Sequence, residues 1–521
     1  MLFLGFVAGC AKQTDPPNVL LVTIDTLRAD RLSGAGYERE TTPNLDALGR
    51  EGLVFTHATS PRAKTTPAIA SLLTGLYPHD HGVRDLSTPI SEEPALVGDV
   101  FRSRGYSTFA ILGNWVLIDR RSGLARGFQS WTEDLPDLTG VPPNTVPQRT
   151  ARSLTDGALQ AAGLRATDGG TLAGPFEAAC SADAPWFGWL HYMDPHGLYD
   201  PPSEHDVFGP GALDPIGPVE AIPPSQLHRP RIANYNVPPD ARLMDGRIDA
   251  ARVRDRYDGE VRYVDAELGR LLDELDSAGS LANTIVAVTS DHGESLGEHL
   301  YWFEHGLYTY EATTRVPLIL RLPGALRDDV DSDLLERGVF TGDVSLVDLA
   351  PTLLDLCDLP RLVHRRLELT DPTLAGRSLV PDLRSGRERR RPVFSEQVER
   401  SELAGLVHKK SVRVGNAKLI RRYTFARPLD LNRPGAERDL QVLLEEFYDL
   451  ESDPHESQPL DPDDLEAASV AQLRDALDGF FAADRNLDRE AARLQRRRES
   501  LEREEPRDLR YLDLLGYGGE H

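Results

Sequence analysis

"NVLLVTIDT", Asn18 to Thr26, is a short run of apolar and β-branched residues behind a proline pair, and it stops at a carboxylate, Asp25. A run apolar on both of its faces belongs inside a parallel sheet, because a strand covered by helices on both sides has no polar face to present. In an open parallel sheet, ligands bind beyond the carboxyl ends of the strands, so a polar residue at such an end is the first to inspect. Working outward, "YSTFAILGN", "APWFGWLHYMDPH" and "NTIVAVTSDHGE" repeat the pattern. The second of these ends on Asp194 and His196, and the third on Asp291 and His292. Between the strands, "LDALGREGLVFTHA" reads as helix then strand, and "PAIASLLTGLYP" as a helix opened by Pro67 and closed near Gly75. "YDGEVRYVDAELGRLLDELDSAG" has apolar residues at helical spacing and ends at Gly279. Strands alternating with helices through most of the chain predict an α/β fold: one large, mostly parallel sheet with helices on both faces.

The length of 521 residues, 40% of them hydrophobic, suffices for a large core. The expected organisation is a leader and spacer over residues 1–17, a main domain over 18–390, a small α+β subdomain over 391–460 and a charged tail, helical in pattern, over 461–521. The subdomain is placed where the texture changes after "RRPVFSEQ", as "KSVRVGNAKLIRRYTF" and "EEFYDLESDPHESQPL" read as short antiparallel strands around a turn. In the tail, "REAARLQRRRESLEREEPRD" is polar nearly all round, which suits a solvated helix or disorder. Ser130 to Thr150 and Pro201 to Asp245, rich in Pro, Gly and Asp without periodicity, suit long surface excursions of the kind that rim a site.

A formal charge of −25 argues against nucleic acid and anionic membrane surfaces as partners, since phosphate contacts need clustered Lys and Arg. The opening "MLFLGFVAGCAKQTDPPN" resembles a bacterial lipoprotein signal in which Cys10 becomes the lipidated residue. It is short and carries no basic residue before the apolar run, so a cytoplasmic protein is the alternative to a lipid-anchored, periplasmic one. No other stretch approaches the ~18–20 apolar residues of a membrane span. Cys180 and Cys357 lack metal-site spacing; they either pair in an oxidising compartment or stay as two buried thiols.

Asp25, Asp291 and His292, arriving from separate strands, are the types that hold a divalent metal with mixed oxygen and nitrogen ligands. Each alone also fits a helix cap or a chance turn. Together with "LLTGLYPHDHG", "TIVAVTSDHGESLGEH", "RVPLILRLPG" and "FYDLESDPHE", in that order, the stretch from Asn18 to Leu460 resembles the sulfatase family of the alkaline phosphatase superfamily. The resemblance implies an alkaline-phosphatase-like α/β/α sandwich with a metal at the C-terminal edge of the sheet and a nucleophile at the start of a helix.

The family's usual motif is Cys or Ser, any residue, Pro, Ser, Arg. Counting back from Leu73-Thr74-Gly75, its positions fall on Thr65, Pro67, Ala68 and Ile69, so the formylglycine precursor is absent. The paired aspartates of calcium-binding members are here Asp25 and Thr26, the Asp-Asn pair is Asp291-His292, and a usual lysine falls at Gly306 beside His305. An imidazole in place of a hard oxygen shifts preference from Ca²⁺ toward Zn²⁺ or Mn²⁺. A hydroxyl on such a metal loses its proton more readily, which makes Thr65 both a ligand and an unmodified nucleophile at a helix N-terminus suited to a tetrahedral anion. Thr66 competes for that role, and Thr65 also fits an ordinary N-cap. The resemblance gives His196 the contact with the sulfuryl or phosphoryl oxygens, with His81, His299 and His305 as further candidates; His191 reads equally as a core histidine. Arg62 and Lys64 are the cations nearest to Thr65 in sequence.

The expected function is metal-dependent hydrolysis of a sulfate, phosphate or phosphonate ester of a small molecule, glycan or lipid through a covalent Thr65 ester, the residues leaning toward phosphoryl chemistry. Two rivals are a transferase resembling phosphoethanolamine transferases, which usually carry several membrane spans that are missing here, and a sulfatase-fold binding protein that lost catalysis with its Cys and Arg.

Overall fold

The computed structural model describes residues 15–136, 146–161, 184–209, 221–227, 236–364, 369, 371–401, 405–425, 440–483 and 499. Its centre is an eight-stranded sheet built from β1 (Asn18–Ile24), β2 (Leu53–Phe55), β3 (Ser107–Leu112), β4 (Ser130–Thr132), β5 (Trp186–Tyr192), β6 (Thr284–Ser290), β7 (Leu318–Arg321) and β8 (Val339–Phe340). The order across the sheet is β8-β2-β7-β6-β1-β5-β3-β4. Every neighbouring pair is parallel except those made by β7, which runs antiparallel to both β6 and β2. "NVLLVTIDT" is the middle of this sheet: six of the seven residues of β1 are buried, and it is flanked by β5 and β6.

Alternation along the strands divides the core into two layers. Val19, Leu21, Phe187, Trp189, Ile285 and Ala287 face one layer, and Leu20, Val22, Leu190, Tyr192, Val286 and Val288 the other. The first layer is closed by helix α2 (Thr65–Thr74) through Ile69, Ala70, Leu72 and Leu73, and by residues of 349–356. The second is closed by α1 (Pro43–Glu51), α3 (Ala151–Ala161) and the 28-residue α4 (Ala250–Ser277). The fold is therefore a mixed α/β sandwich with a large, mostly parallel sheet between helical layers.

Ser130 opens an edge strand of the sheet, because Ser130, Trp131 and Thr132 pair with Phe109, Ala110 and Ile111; the irregular stretch begins only beyond it. After residue 391 four antiparallel strands follow: β9 (Val393–Ser401), β10 (Gly405–Val414), β11 (Ala417–Phe425) and β12 (Leu440–Asp449). Helix α5 (Ala467–Ala483) lies in what the sequence reads as a solvated tail, yet Val470, Leu473, Leu477 and Phe480 repeat at helical spacing and pack with Phe394, Val412, Leu419 and Phe447. This apolar cluster, which also takes in Tyr77 and Val347, thus reaches Phe480, while the polar stretch beyond it lies outside the described residues apart from Glu499, as do Cys10 and Cys180. Cys357 is a buried free thiol. Among the described residues no helix is long and apolar enough to cross a membrane.

Candidate active site

β1 and β6 are adjacent and parallel with Ile24 opposite Ser290, so the next residues, Asp25 and Asp291, leave the sheet side by side. Thr26 takes a φ of +57°, a left-handed conformation costly for a β-branched residue. The turn brings its N–H to Asp291 Oδ1 at 3.3 Å, while the Tyr257 hydroxyl donates to its carbonyl at 2.7 Å. Asp291 Oδ1 also accepts the His292 N–H at 2.8 Å. Its other oxygen, Oδ2, has no hydrogen-bond partner and lies 3.4 Å from His292 Nε2.

Asp25 is divided in the same way. Oδ2 accepts from Asn114 Nδ2 at 2.5 Å and lies 3.4 Å from His191 Nε2; Oδ1 has no hydrogen-bond partner and lies 3.9 Å from His292 Nε2. One ligand atom from each of Asp25, Asp291 and His292 lies within 4.8 Å of the others, and all three residues are fully buried. Burial and the negative charge of Asp25 raise the Asp291 carboxyl above its usual range. Burial also works against the ionisation of Asp25, but His196, His191 and His292 outweigh it and bring that carboxyl down to about 2. Two buried carboxylates with one bare oxygen each, beside an imidazole, suit a divalent cation, since without one their repulsion is uncompensated.

Thr65 begins α2 and its hydroxyl joins this group: Oγ1 lies 3.4 Å from Asp25 Oδ2 and 3.5 Å from His292 Nε2. The N-cap of the helix is Lys64, with no side-chain cap bond, so the Thr65 hydroxyl is not spent on capping. The Thr66 hydroxyl donates to the Val116 carbonyl at 3.3 Å and is directed elsewhere.

The histidines separate into two sets. His292, His305 and His196 form a row, with ring centroids 4.4 Å apart for the first pair and 5.2 Å for the second. His305 Nδ1 is 3.1 Å from Glu294 Oε1, and Glu294 Oε2 accepts the Tyr199 hydroxyl at 3.1 Å. His196 Nδ1 lies 2.9 Å from the Gly197 carbonyl. His81 stands outside the row: Nε2 is 2.8 Å from Ser71 Oγ, Nδ1 accepts the Val83 N–H at 3.1 Å, and burial lowers its pKa to about 3. Both of its nitrogens serve the local fold. The His299 ring stacks on Tyr310 at 3.5 Å.

Arg62 pairs with Glu396 at 3.2 Å, and Ile69 is part of the core, where it offers no charge. His191, which the sequence leaves open as a core histidine, bridges Thr23 Oγ1 (2.8 Å from Nδ1) and Asp25, so it is both buried and at the site. Asn114 and Glu294 escape the sequence reading. The signal for Asn114 is its place at the end of "YSTFAILGN", another strand end; for Glu294 it is a carboxylate two residues beyond His292.

A family profile named Sulfatase matches residues 17–359. The chain is 28% identical over 398 residues to iduronate 2-sulfatase of Mus musculus, covering 67% of this chain and 70% of that protein. It is 26% identical over 410 residues to N-acetylglucosamine-6-O-sulfatase of Bacteroides thetaiotaomicron, covering 67% and 70%. The fold is similar to that of the phosphonate monoester hydrolase of Agrobacterium radiobacter, with a TM-score of 0.58, 21% identity, and coverage of 89% of this chain and 95% of that one. With a profile match over more than half of its length, the chain belongs to the sulfatase family of hydrolases.

Proposed function

We propose that this protein is a metal-dependent hydrolase that cleaves a sulfate, phosphate or phosphonate ester through a covalent ester on Thr65. The observation that carries the reading is the position of Thr65 Oγ1, 3.4 Å from Asp25 Oδ2 and 3.5 Å from His292 Nε2, at the N-terminus of α2. Asp25, Asp291 and His292, with the Thr65 hydroxyl beside them, would hold a divalent metal, which when bound would supply Lewis acidity for the hydroxyl and the transferred group. The imidazole in the set favours Zn²⁺ or Mn²⁺ over Ca²⁺.

Thr65 Oγ attacks the sulfur or phosphorus in line and the bond to the alcohol oxygen breaks. Asp25, the nearest carboxylate, takes up the hydroxyl proton. The leaving alkoxide receives a proton from the His196–His305 pair, with Glu294 holding the His305 ring through Nδ1. The α2 N-terminus directs main-chain N–H groups at the equatorial oxygens. Water then attacks the same centre and gives a proton to the His196–His305 pair, the bond to Thr65 Oγ breaks as Thr65 takes back the proton held by Asp25, and sulfate, phosphate or phosphonate departs.

The sugar sulfates in the names of the relatives make a glycan or small-molecule ester the first substrate class to try. The test is metal analysis of the purified protein with release assays on aryl sulfate, phosphate monoester, diester and phosphonate, and with Thr65→Ala as control. Metal-dependent turnover lost in the variant, with a sulfuryl or phosphoryl adduct on the Thr65 peptide of the wild type, is the expected result. A protein that binds no metal and turns over nothing when metal is added is a sulfatase-fold binding protein. We also place the protein in the cell envelope, anchored through Cys10; membrane fractionation of Cys10→Ser against wild type tests that.

A further inference from the structure

Segment 60–64, which leads into Thr65, is held by the C-terminal subdomain. The Glu396 N–H donates to the Pro61 carbonyl at 2.9 Å, the Ser395 hydroxyl donates to the Ser60 carbonyl, and Arg62 pairs with Glu396 at 3.2 Å. Ser60 in turn donates from Oγ to the Asp291 carbonyl at 2.5 Å, so this segment touches the metal-site loop as well. The next residue of β9, Gln397, is wholly buried opposite Lys409. Its side-chain amide fits its surroundings in one orientation: the nitrogen donates to the Gly306 carbonyl at 3.1 Å and the oxygen accepts the Ala63 N–H at 2.6 Å.

Those two partners belong to different parts of the site. Ala63 is two residues before the nucleophile Thr65, and Gly306 is the residue after His305. The segments meet with almost no room between them: a Cβ on Gly306, whose φ is +89°, would come within 3.1 Å of Lys64 Cε and 3.4 Å of the Ala63 carbonyl oxygen. Glycine therefore lets the His305 segment close onto the Thr65 segment, and only a side chain with a donor and an acceptor at amide spacing satisfies both backbones at once.

We propose that Gln397 is a positioning residue that staples the nucleophile segment to the His305 segment, so that the C-terminal subdomain sets the distance between attacking group and proton donor. The roles of Thr65 and His305 in this statement rest on the function proposed above. The staple itself rests on the two hydrogen bonds.

The test uses Gln397→Leu, which fills the same space without either bond, and Gln397→Glu, which keeps the shape and an acceptor for Ala63 but, when ionised, loses the donor to Gly306. Steady-state kinetics on the best ester is combined with metal-binding titration and amide hydrogen exchange of the full-length protein. The expected result for Gln397→Leu is kcat lower by about 10–100-fold, because small misplacements of reacting groups carry such penalties. KM and metal affinity stay unchanged, and exchange is faster in peptides covering 60–64 and 305–309 alone. Gln397→Glu falls between Gln397→Leu and wild type, and it is the variant that decides if Gln397→Leu fails to fold. A kcat within twofold of wild type with both segments still protected overturns the proposal, as does faster exchange spread evenly along the chain. If no variant and no wild type turns over any ester yet the two segments loosen selectively, the staple stands and the hydrolytic reading of the site falls.

Discussion

Two of the buried charge clusters among the described residues are solved in opposite ways. At the sheet edge, Asp25 and Asp291 face each other with one bare oxygen apiece and no cationic Lys or Arg among their hydrogen-bond partners. At the seam between the main domain and the C-terminal sheet, Glu311 receives Arg413 and Lys418, each at 2.8 Å, and Glu456 receives the same Lys418 at 2.8 Å and the Glu311 N–H at 2.5 Å. The seam supplies its own counter-charges, Arg413 and Lys418. The sheet edge leaves charge to be balanced from outside, which is the condition of a site that binds and reacts.

The largest effect expected from this contrast is on chemistry at the sheet edge. Thr65→Ala removes the hydroxyl proposed to attack and lowers turnover by about 10³–10⁴-fold, with the thermal midpoint held within about a degree of wild type. Next is the seam. Lys418→Met strands the buried Glu456 carboxylate and leaves Glu311 with Arg413 alone, which costs about 3–5 kcal/mol in urea unfolding, the usual penalty for breaking a buried pair from one side, while leaving metal affinity intact.

A smaller effect sharpens the comparison because its sign is reversed. In chelator-treated protein, Asp291→Asn relieves carboxylate repulsion and raises stability by about 1–2 kcal/mol relative to chelated wild type. Added metal stabilises the wild type and not the variant, so the order of the two melting curves inverts. Equal stability of the two chelated proteins would show that the sheet edge is already neutralised.

The smallest effect is the pH response of the seam. Burial pushes the Glu456 carboxyl up to about 7 from its ordinary 4.5, against the pull of Lys418. A folded value above the unfolded one stabilises fully below pH 4.5, and that stabilisation is lost as pH rises through about 7. Glu311 moves the other way: burial opposes it, but Lys418 and Arg413 bring it down to about 2, so its share is lost as pH falls from 4.5 toward 2. The two titrate as a pair, and the combined curve is shallow. Glu456→Gln, neutral throughout, flattens the alkaline arm and leaves the acid arm in place, as urea midpoints from about pH 2 to about pH 8 will report.

Much of the sheet edge is legible in the sequence because a parallel strand advertises itself. "NVLLVTIDT" and "NTIVAVTSDHGE" are continuous apolar runs that stop at polar residues, and Asp25, Asp291 and His292 follow from that stop. The seam is not legible in the same way. Glu311, Glu456 and the paired Arg413 and Lys418 come from three separate stretches of the chain, and nothing in the spacing of any one stretch matches its charge to the others. Helix α5 shows the same limit, because its neighbours in sequence are strongly charged and mask the stripe of Val470, Leu473, Leu477 and Phe480.

Residue order alone determined the class of fold, the family and the three residues at the strand ends, since hydrophobic period and strand termination are local properties of the chain. Only the tertiary structure chose between Thr65 and Thr66, by turning one hydroxyl toward Asp25 and His292 and the other toward the Val116 carbonyl. It also placed His305 beside His292 and left His81 bonded to Ser71, and it brought Asn114, Glu294 and His191 to the residues they touch. Those choices depend on which side chains meet across the sheet edge, and a hydrogen bond between residues tens to hundreds of positions apart leaves no periodic trace in either segment.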